Sequence, residues 1–252
     1  MRFTGKRIFV TGAAAGIGEA TVQLFRDEGA KVVGVDIAEA DGVDYCDVTD
    51  PQSVQAAMDA AVGQLGGLDV LANVAGVNWF SKLEDITLDL WNRHLAVNLT
   101  GPMLVSQAAL PHLRESTGNI VTVGSISGLQ GQPYNSSYCA SKAGLIMFMK
   151  ALAVELAVDG IRVNLVCPGG VDTAMSTNAL SNVKGDIDFS HFPKMMGVLP
   201  GMMPPIKIAE ALAHPFLLCL LPRAPGGGSS RKEEEKRAVS YTHLTLPTIL
   251  RV

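Results

Sequence analysis

The opening of the chain restricts its fold more than any other stretch. An apolar run, Arg7-Ile8-Phe9-Val10, enters Thr11-Gly12-Ala13-Ala14-Ala15-Gly16-Ile17-Gly18, and a helical pattern follows over residues 19–28. Strand, glycine-rich turn and helix in that order make a dinucleotide-binding opening. The glycines let backbone amides approach a pyrophosphate, and the helix N-terminus favours its negative charge. The spacing is TGxxxGxG rather than GxGxxG. A second strand, residues 31–35, ends in Asp36. That acid stands about 20 residues past the turn, where a carboxylate accepts both hydroxyls of an adenosine ribose. A carboxylate there also repels a 2′-phosphate, and the turn carries alanines where a basic residue would be wanted. The cofactor implied is NAD rather than NADP.

Strand and helix signals alternate beyond this point. Residues 45–51 read as a strand end, a helix cap and a proline at the first helical position. A helix is expected over 52–65, a strand over 68–72 leading to Asn73-Val74-Ala75-Gly76, and one long helix over 88–114 that contains Asn98. A strand over 119–123 leads to Ser125, a helix over 137–158 carries Tyr138 and Lys142, and a strand over 162–166 ends in Pro168-Gly169-Gly170. Near-continuous apolar strands alternating with helices predict a single-domain α/β fold, a doubly wound parallel sheet covered on both faces. Ligands bind beyond the carboxyl ends of such strands. One ridge of the sheet therefore collects the glycine turn, Asp36, Asp47, Asn73, Ser125 and Pro168.

Tyr138 and Lys142 are four residues apart, and Ser125 precedes the tyrosine by thirteen. Positions i and i+4 share a helix face, so phenol and ammonium point into one site. A cation beside a phenol favours the phenolate and lowers its pKa toward the range useful for proton transfer. Taken singly, Ser125 reads as a turn serine, Asn98 as a residue that bends a helix, and Thr173 as structural.

Composition narrows the remaining classes. A content of 48% hydrophobic and 17% charged residues suffices to bury a sheet on both sides, and a net charge of −4 without a basic stripe argues against nucleic acid. Cys46, Cys139, Cys167 and Cys219 are scattered with no CxxC pair, as in reduced, cytoplasmic proteins. His94, His112 and His191 have no metal-ligand spacing and are assigned to surface or core, so no metal is expected. No secretory signal opens the chain, and no stretch reaches the roughly 18 apolar residues of a membrane span.

The ordered set TGAAAGIG (11–18), Asp47-Val48, NVAG (73–76), Asn98 within VNLTG, Ser125, YCASK (138–142) and PGGVDT (168–173) resembles the short-chain dehydrogenase/reductase superfamily. The match spans residues 5–173, with NVAG where the family more often has NNAG. The resemblance implies a general acid/base at Tyr138, a substrate-polarising hydroxyl at Ser125, and a ribose contact at Lys142 that also lowers the tyrosine pKa. It implies a water-positioning role for Asn98. Cofactor contacts are implied at Gly12, Gly16, Ile17, Gly18, Asp36, Asp47, Val48, Asn73, Ala75, Gly76, Tyr138, Lys142, Pro168, Val171 and Thr173. Asp47 and Val48 would flank the adenine; Val171 and Thr173 would meet the carboxamide.

Residues 173–205 lack clean periodicity and hold Met175, Met195, Met196, Met202 and Met203 with Phe189 and Phe192. A loop of ~30 residues in a compact domain is commonly a lid, and methionine fills irregular apolar surfaces. With no basic cluster here, an uncharged, lipophilic or alicyclic secondary alcohol or ketone, steroid-like molecules included, fits better than a sugar phosphate. Within the enzyme class the rival is an NADPH-dependent 3-oxoacyl-thioester reductase; outside it, a dinucleotide-binding sensor that does not turn over. The helix over 137–158 shows two apolar stripes, one through Gly144, Leu145, Phe148, Leu152 and Leu156 and one through Ile146, Met149, Ala153 and Ala157. One stripe can pack on the sheet and the other needs a partner, for which the long helix around Asn98 is the natural companion; by resemblance this is a four-helix contact between subunits, giving a homodimer or homotetramer.

The text changes after a helix-like stretch at 207–213. Gly226-Gly227-Gly228-Ser229-Ser230 runs into Arg231-Lys232-Glu233-Glu234-Glu235-Lys236-Arg237, and residues 232–249 resemble peptides made when sequencing-adapter DNA is translated. The expectation is a dehydrogenase domain over 1–221 and a non-native or disordered tail over 222–252. The family's final strand would then be missing and one sheet edge left unpaired.

Overall fold

The computed structural model describes residues 1–179, 188 and 202–214, and the backbone of 215–217 and 250–251. Seven parallel strands form one sheet in the order β3-β2-β1-β4-β5-β6-β7. They are β1 (Arg7–Thr11), β2 (Lys31–Asp36), β3 (Val43–Tyr45), β4 (Val70–Asn73), β5 (Asn119–Val123), β6 (Arg162–Cys167) and β7 (Leu250–Arg251). The order reverses between β1 and β4, which opens a crevice at their carboxyl ends. The expected doubly wound sheet is present, and β3 is the short strand whose end the sequence marks at Tyr45.

Side chains along each strand alternate between two cores. Phe9, Val33, Leu71 and Ile120 enter one cluster with α2 (Pro51–Leu65), α4 (Gly101–Ser116) and α5 (Ser136–Glu155). Ile8, Val10, Val32, Val70 and Val121 enter the other, with α1 (Gly16–Asp27) and α7 (Pro205–Leu217). Local chemistry sets the ends of α2. Asp50 caps it by accepting from the Gln52 amide at 3.0 Å, Pro51 takes the first position, and Gly66 closes it at φ 74°.

Two expectations change. The long helix over 88–114 is broken into α3 (Leu88–Leu95), a π-helical turn (Ala96–Thr100) and α4. Pro102 has no amide to donate, and the widened turn before it absorbs the misfit. On α5, Ile146 and Met149 are buried inside the chain, and the exposed large apolar residues are Met147 and Val154, with Val158 just beyond. The edge of β6 expected to be unpaired is paired at two positions, Val166 with Leu250 and Cys167 with Arg251. Most of the lid, including Phe189, Phe192, Met195 and Met196, lies outside the described residues, as do His191, Cys219 and residues 218–249 of the tail. Met175 heads the short α6 (Ala174–Asn178). Met203 bridges Val171.

Candidate cofactor and proton-transfer site

The glycine turn is built by close approach. Gly12 sits at φ 73°, and a Cβ there would lie 2.7 Å from the Ala75 backbone; one at Gly18 would lie 1.8 Å from the Gly12 carbonyl oxygen. A side chain at either position would push the turn off β4 or α1. Thr11 Oγ1 adds a brace, accepting from the Val74 and Ala75 amides at 3.0 and 3.2 Å. The ends of β1 and β4 are thereby locked across the switch point. No side chain caps α1 at Ala15, so the first-turn amides around Gly16, Ile17 and Gly18 keep their capacity for an anion. These residues fit a dinucleotide pyrophosphate.

Asp36 stands at the end of β2. Its Oδ2 accepts from the Ala14 amide and its Oδ1 from the Ala38 amide, both at 3.0 Å. Each oxygen retains a lone pair for a ribose hydroxyl. Asp47 Oδ1 accepts from the Thr49 amide and hydroxyl at 2.8 and 2.7 Å, while buried Val48 packs on Gly101. Asn73 is buried at the end of β4, with Nδ2 3.4 Å from Ser106 Oγ and Oδ1 unpartnered. After β6, the Pro168 carbonyl accepts from the Ile126 amide at 3.0 Å, tying this segment to the Ser125 turn. Val171 is buried; Thr173 caps α6 and its methyl approaches Gly16.

The proton-transfer residues meet at the other side of the same ridge. Tyr138 and Lys142 are buried on α5, and the buried Ser125 hydroxyl is near enough to the phenol to favour the phenolate. Ser125 Oγ also accepts from the Ser127 amide at 3.1 Å. Lys142 Nζ donates to the Val123 carbonyl at 3.0 Å. A Cβ on Gly76 would stand 3.5 Å from that nitrogen and 3.2 Å from Asn98 Oδ1, so the loop after β4 brings both halves of the site together.

One expectation needs correction here. The phenol is not lowered: burial pushes Tyr138 up to about 12, against a smaller opposing effect of Ser125. Burial also pushes Lys142 down to about 8, and with its ammonium turned to Val123, desolvation dominates at the tyrosine. The Asn98 side chain is already engaged: Oδ1 accepts from the Val77 amide at 2.9 Å, and Nδ2 donates to the Val77 carbonyl at 2.9 Å and Ser141 Oγ at 3.0 Å. Both donors of its amide are used. Oδ1 accepts only the Val77 bond and keeps a second lone pair, so the group retains one acceptor position for a water.

His94, assigned from sequence only to surface or core, is fully buried beside the tyrosine, ring centroids 6.0 Å apart. Its spacing four residues before Asn98 was the available signal.

The family model described as short chain dehydrogenase matches residues 6–184. The chain belongs to that family, and it is an oxidoreductase acting at a secondary alcohol or ketone. It is 38% identical over 192 residues to the 3-oxoacyl-[acyl-carrier-protein] reductase of Thermotoga maritima, covering 70% of this chain and 78% of that one. It is 38% identical over 198 residues to the 2,5-dichloro-2,5-cyclohexadiene-1,4-diol dehydrogenase of Sphingobium indicum, covering 72% and 79%. A short chain dehydrogenase from Burkholderia cenocepacia, solved in complex with NADP, superposes with a TM-score of 0.72 at 32% identity, covering 84% of this chain and 91% of that one. Among the described residues no helix is long and apolar enough to cross a membrane.

Proposed function

We propose that the chain is an NAD-dependent dehydrogenase or carbonyl reductase for an uncharged, lipophilic or alicyclic secondary alcohol or ketone. The observation that carries the cofactor half is the Asp36 carboxylate, held by two backbone amides at the end of β2 beside a turn made of alanines. Its charge opposes a 2′-phosphate, and its free lone pairs suit ribose hydroxyls. A bound nicotinamide dinucleotide supplies hydride exchange at the carbinol carbon. The chain supplies the rest. Gly12, Gly16, Ile17 and Gly18 cradle the pyrophosphate; Asp47 and Val48 flank the adenine; Asn73, Ala75 and Gly76 line the crevice; Pro168, Val171 and Thr173 border the nicotinamide end. Tyr138 moves the hydroxyl proton, Ser125 orients the substrate oxygen, and Lys142 binds the ribose and stabilises the developing phenolate. Asn98 holds the loop after β4 against α5. The phenol's high pKa keeps it protonated at neutral pH, ready as the acid in the reducing direction.

The relative acting on a cyclohexadiene-diol supports a cyclic substrate. A second reading, a 3-oxoacyl-thioester reductase using NADPH, draws on the Thermotoga relative and on the Burkholderia structure with NADP; Asp36 speaks against it. A sensor without turnover would have little use for a buried Tyr138–Lys142 pair. The catalytic unit is residues 1–221, cytoplasmic, and paired through the exposed stripe of Met147, Val154 and Val158. Absorbance of the reduced cofactor with cyclohexanol, a cyclohexanediol and a hydroxysteroid, each with NAD and with NADP, tests the reading. Faster reaction of NADPH with a 3-oxoacyl thioester than of NAD with any alcohol of the panel would replace it by the second. A monomer at micromolar concentration in sedimentation would refute the pairing.

A further inference from the structure

His94 and Asn98 lie one turn apart, at the end of α3 and within the π-helical turn, and both have no exposed surface. Each reaches in two directions. Asn98 exchanges hydrogen bonds with Val77 and donates to Ser141 Oγ at 3.0 Å. His94 Nε2 accepts from the Trp79 amide at 3.2 Å, and its Nδ1 lies 2.9 Å from Ser137 Oγ. Ser137 and Ser141 are themselves one turn apart on α5, and each immediately precedes a member of the proton-transfer pair, Tyr138 and Lys142. Two rungs therefore tie the backbone of residues 77–79 to α5. One grips beside the lysine and the other beside the tyrosine.

A helix resting on a sheet can still rotate about its axis. Fixing two hydroxyls at i and i+4 on one face removes that freedom. The His94 rung has one permitted protonation state. A backbone amide can only donate, so Nε2 must carry the lone pair and Nδ1 the proton given to Ser137 Oγ. Burial keeps the ring neutral, its pKa pushed down to about 4. The ring is held on both sides as well: its edge meets Tyr138 at a 68° interplanar angle, and Trp79 lies 5.5 Å away, with the Arg93 guanidinium 4.9 Å over the indole.

We infer that His94 is a positioning residue for proton transfer, bridging the Trp79 amide and Ser137 so that α5 holds the rotation that aims the Tyr138 hydroxyl. The inference rests on Tyr138 being the acid/base. The Asn98 rung alone pins α5 by a hydrogen bond at the lysine end only, leaving the tyrosine end held by packing.

Two substitutions separate this role from simple packing. His94→Phe keeps an aromatic ring and removes both hydrogen bonds; Ser137→Ala cuts the α5 end alone. In the full chain, with NAD and cyclohexanol or the faster cyclohexanediol, each should lower kcat about tenfold, ~1.4 kcal/mol in the barrier. The Kd for NAD, from fluorescence titration, should stay within about twofold, because the glycine turn and Asp36 are untouched. The double variant should fall no further than the worse single one, since both cut the same rung. His94→Asn, whose amide nitrogen reaches the place of Nδ1, should recover part of the loss. The inference is overturned if Ser137→Ala keeps kcat within about twofold of the parent, or if NAD affinity falls in step with kcat, which marks general loosening. Should His94→Phe not fold, Ser137→Ala decides alone. Tyr138→Phe run in parallel separates the two ideas: its retained activity sinks the acid/base reading, whereas an inactive Tyr138→Phe beside a fully active Ser137→Ala sinks only the role of His94.

Discussion

Lys142 Nζ lies 5.9 Å from the centre of the Tyr138 ring and gives its hydrogen bond to the Val123 carbonyl at 3.0 Å. The two groups thus share a pocket while the ammonium is anchored to the end of β5. Tyr138→Phe keeps the ring packing and removes only the transferable proton. It should leave less than about a tenth of kcat with NAD affinity nearly intact. Lys142→Ala should damage both, because the ammonium serves the ribose as well as the phenol. Steady-state kinetics beside an NAD titration distinguish the two patterns.

Asp36 should set the cofactor choice. NAD should be preferred over NADP by at least ~1.4 kcal/mol, about tenfold in kcat/KM. Asp36→Arg should reverse that order, replacing repulsion of the 2′-phosphate by attraction. Because Asp36 also accepts from the Ala14 amide, the same change should loosen the glycine turn and lower the maximal rate. Equal kinetics with both cofactors in the parent chain would count decisively against this assignment.

Gly12→Ala combines a left-handed backbone at φ 73° with a Cβ 2.7 Å from Ala75. Backbone in that region costs a non-glycine residue on the order of 1–3 kcal/mol, and the contact forces β1 and β4 apart at the crevice. Urea unfolding should show a loss of that size, and NAD should bind more weakly. An unchanged midpoint would mean that the loop after β4 yields freely.

The pH dependence of stability follows from His94. Its pKa is pushed from 6.5 down to about 4 by burial, so the unfolded chain binds more protons between those values. Stability from this group is complete above about 6.5 and is lost as the pH falls through about 4. His94→Phe should therefore have a lower melting temperature at neutral pH but a shallower fall between pH 6.5 and 4. Parallel acid limbs in the two proteins would exclude His94 as a contributor.

Removing the chain after Leu221 eliminates the two ladder positions of β7 on β6. If residues 222–252 add nothing else, the melting temperature should change by no more than a few degrees, and restoring a longer paired strand should raise it. A collapse on truncation would show that the tail belongs to the folded unit.

What the sequence determined by itself was the local grammar: alternating strands and helices, the strand–turn–helix opening, Asp36 after β2, and Tyr138 and Lys142 on one helix face. These are legible because they follow from short-range requirements. A strand has period two, a helix shows i and i+4 together, and a close backbone approach excludes a Cβ. What only the tertiary structure decided was which groups meet. Pro102 marks where one expected helix breaks into α3, a π turn and α4, but what that turn holds depends on Asn98 finding Val77 and Ser141. The role of His94 depends on Trp79 and Ser137, fifteen residues before it and forty-three after it. Even the tyrosine's pKa was misjudged from spacing, because i and i+4 put the ammonium nearby but said nothing of the Val123 carbonyl that holds it or of the burial that outweighs it. Partners separated that far in the chain leave no periodic trace. They are set when the sheet brings the ends of β4, β5 and β6 to one ridge, and desolvation there outweighs what neighbours in sequence imply.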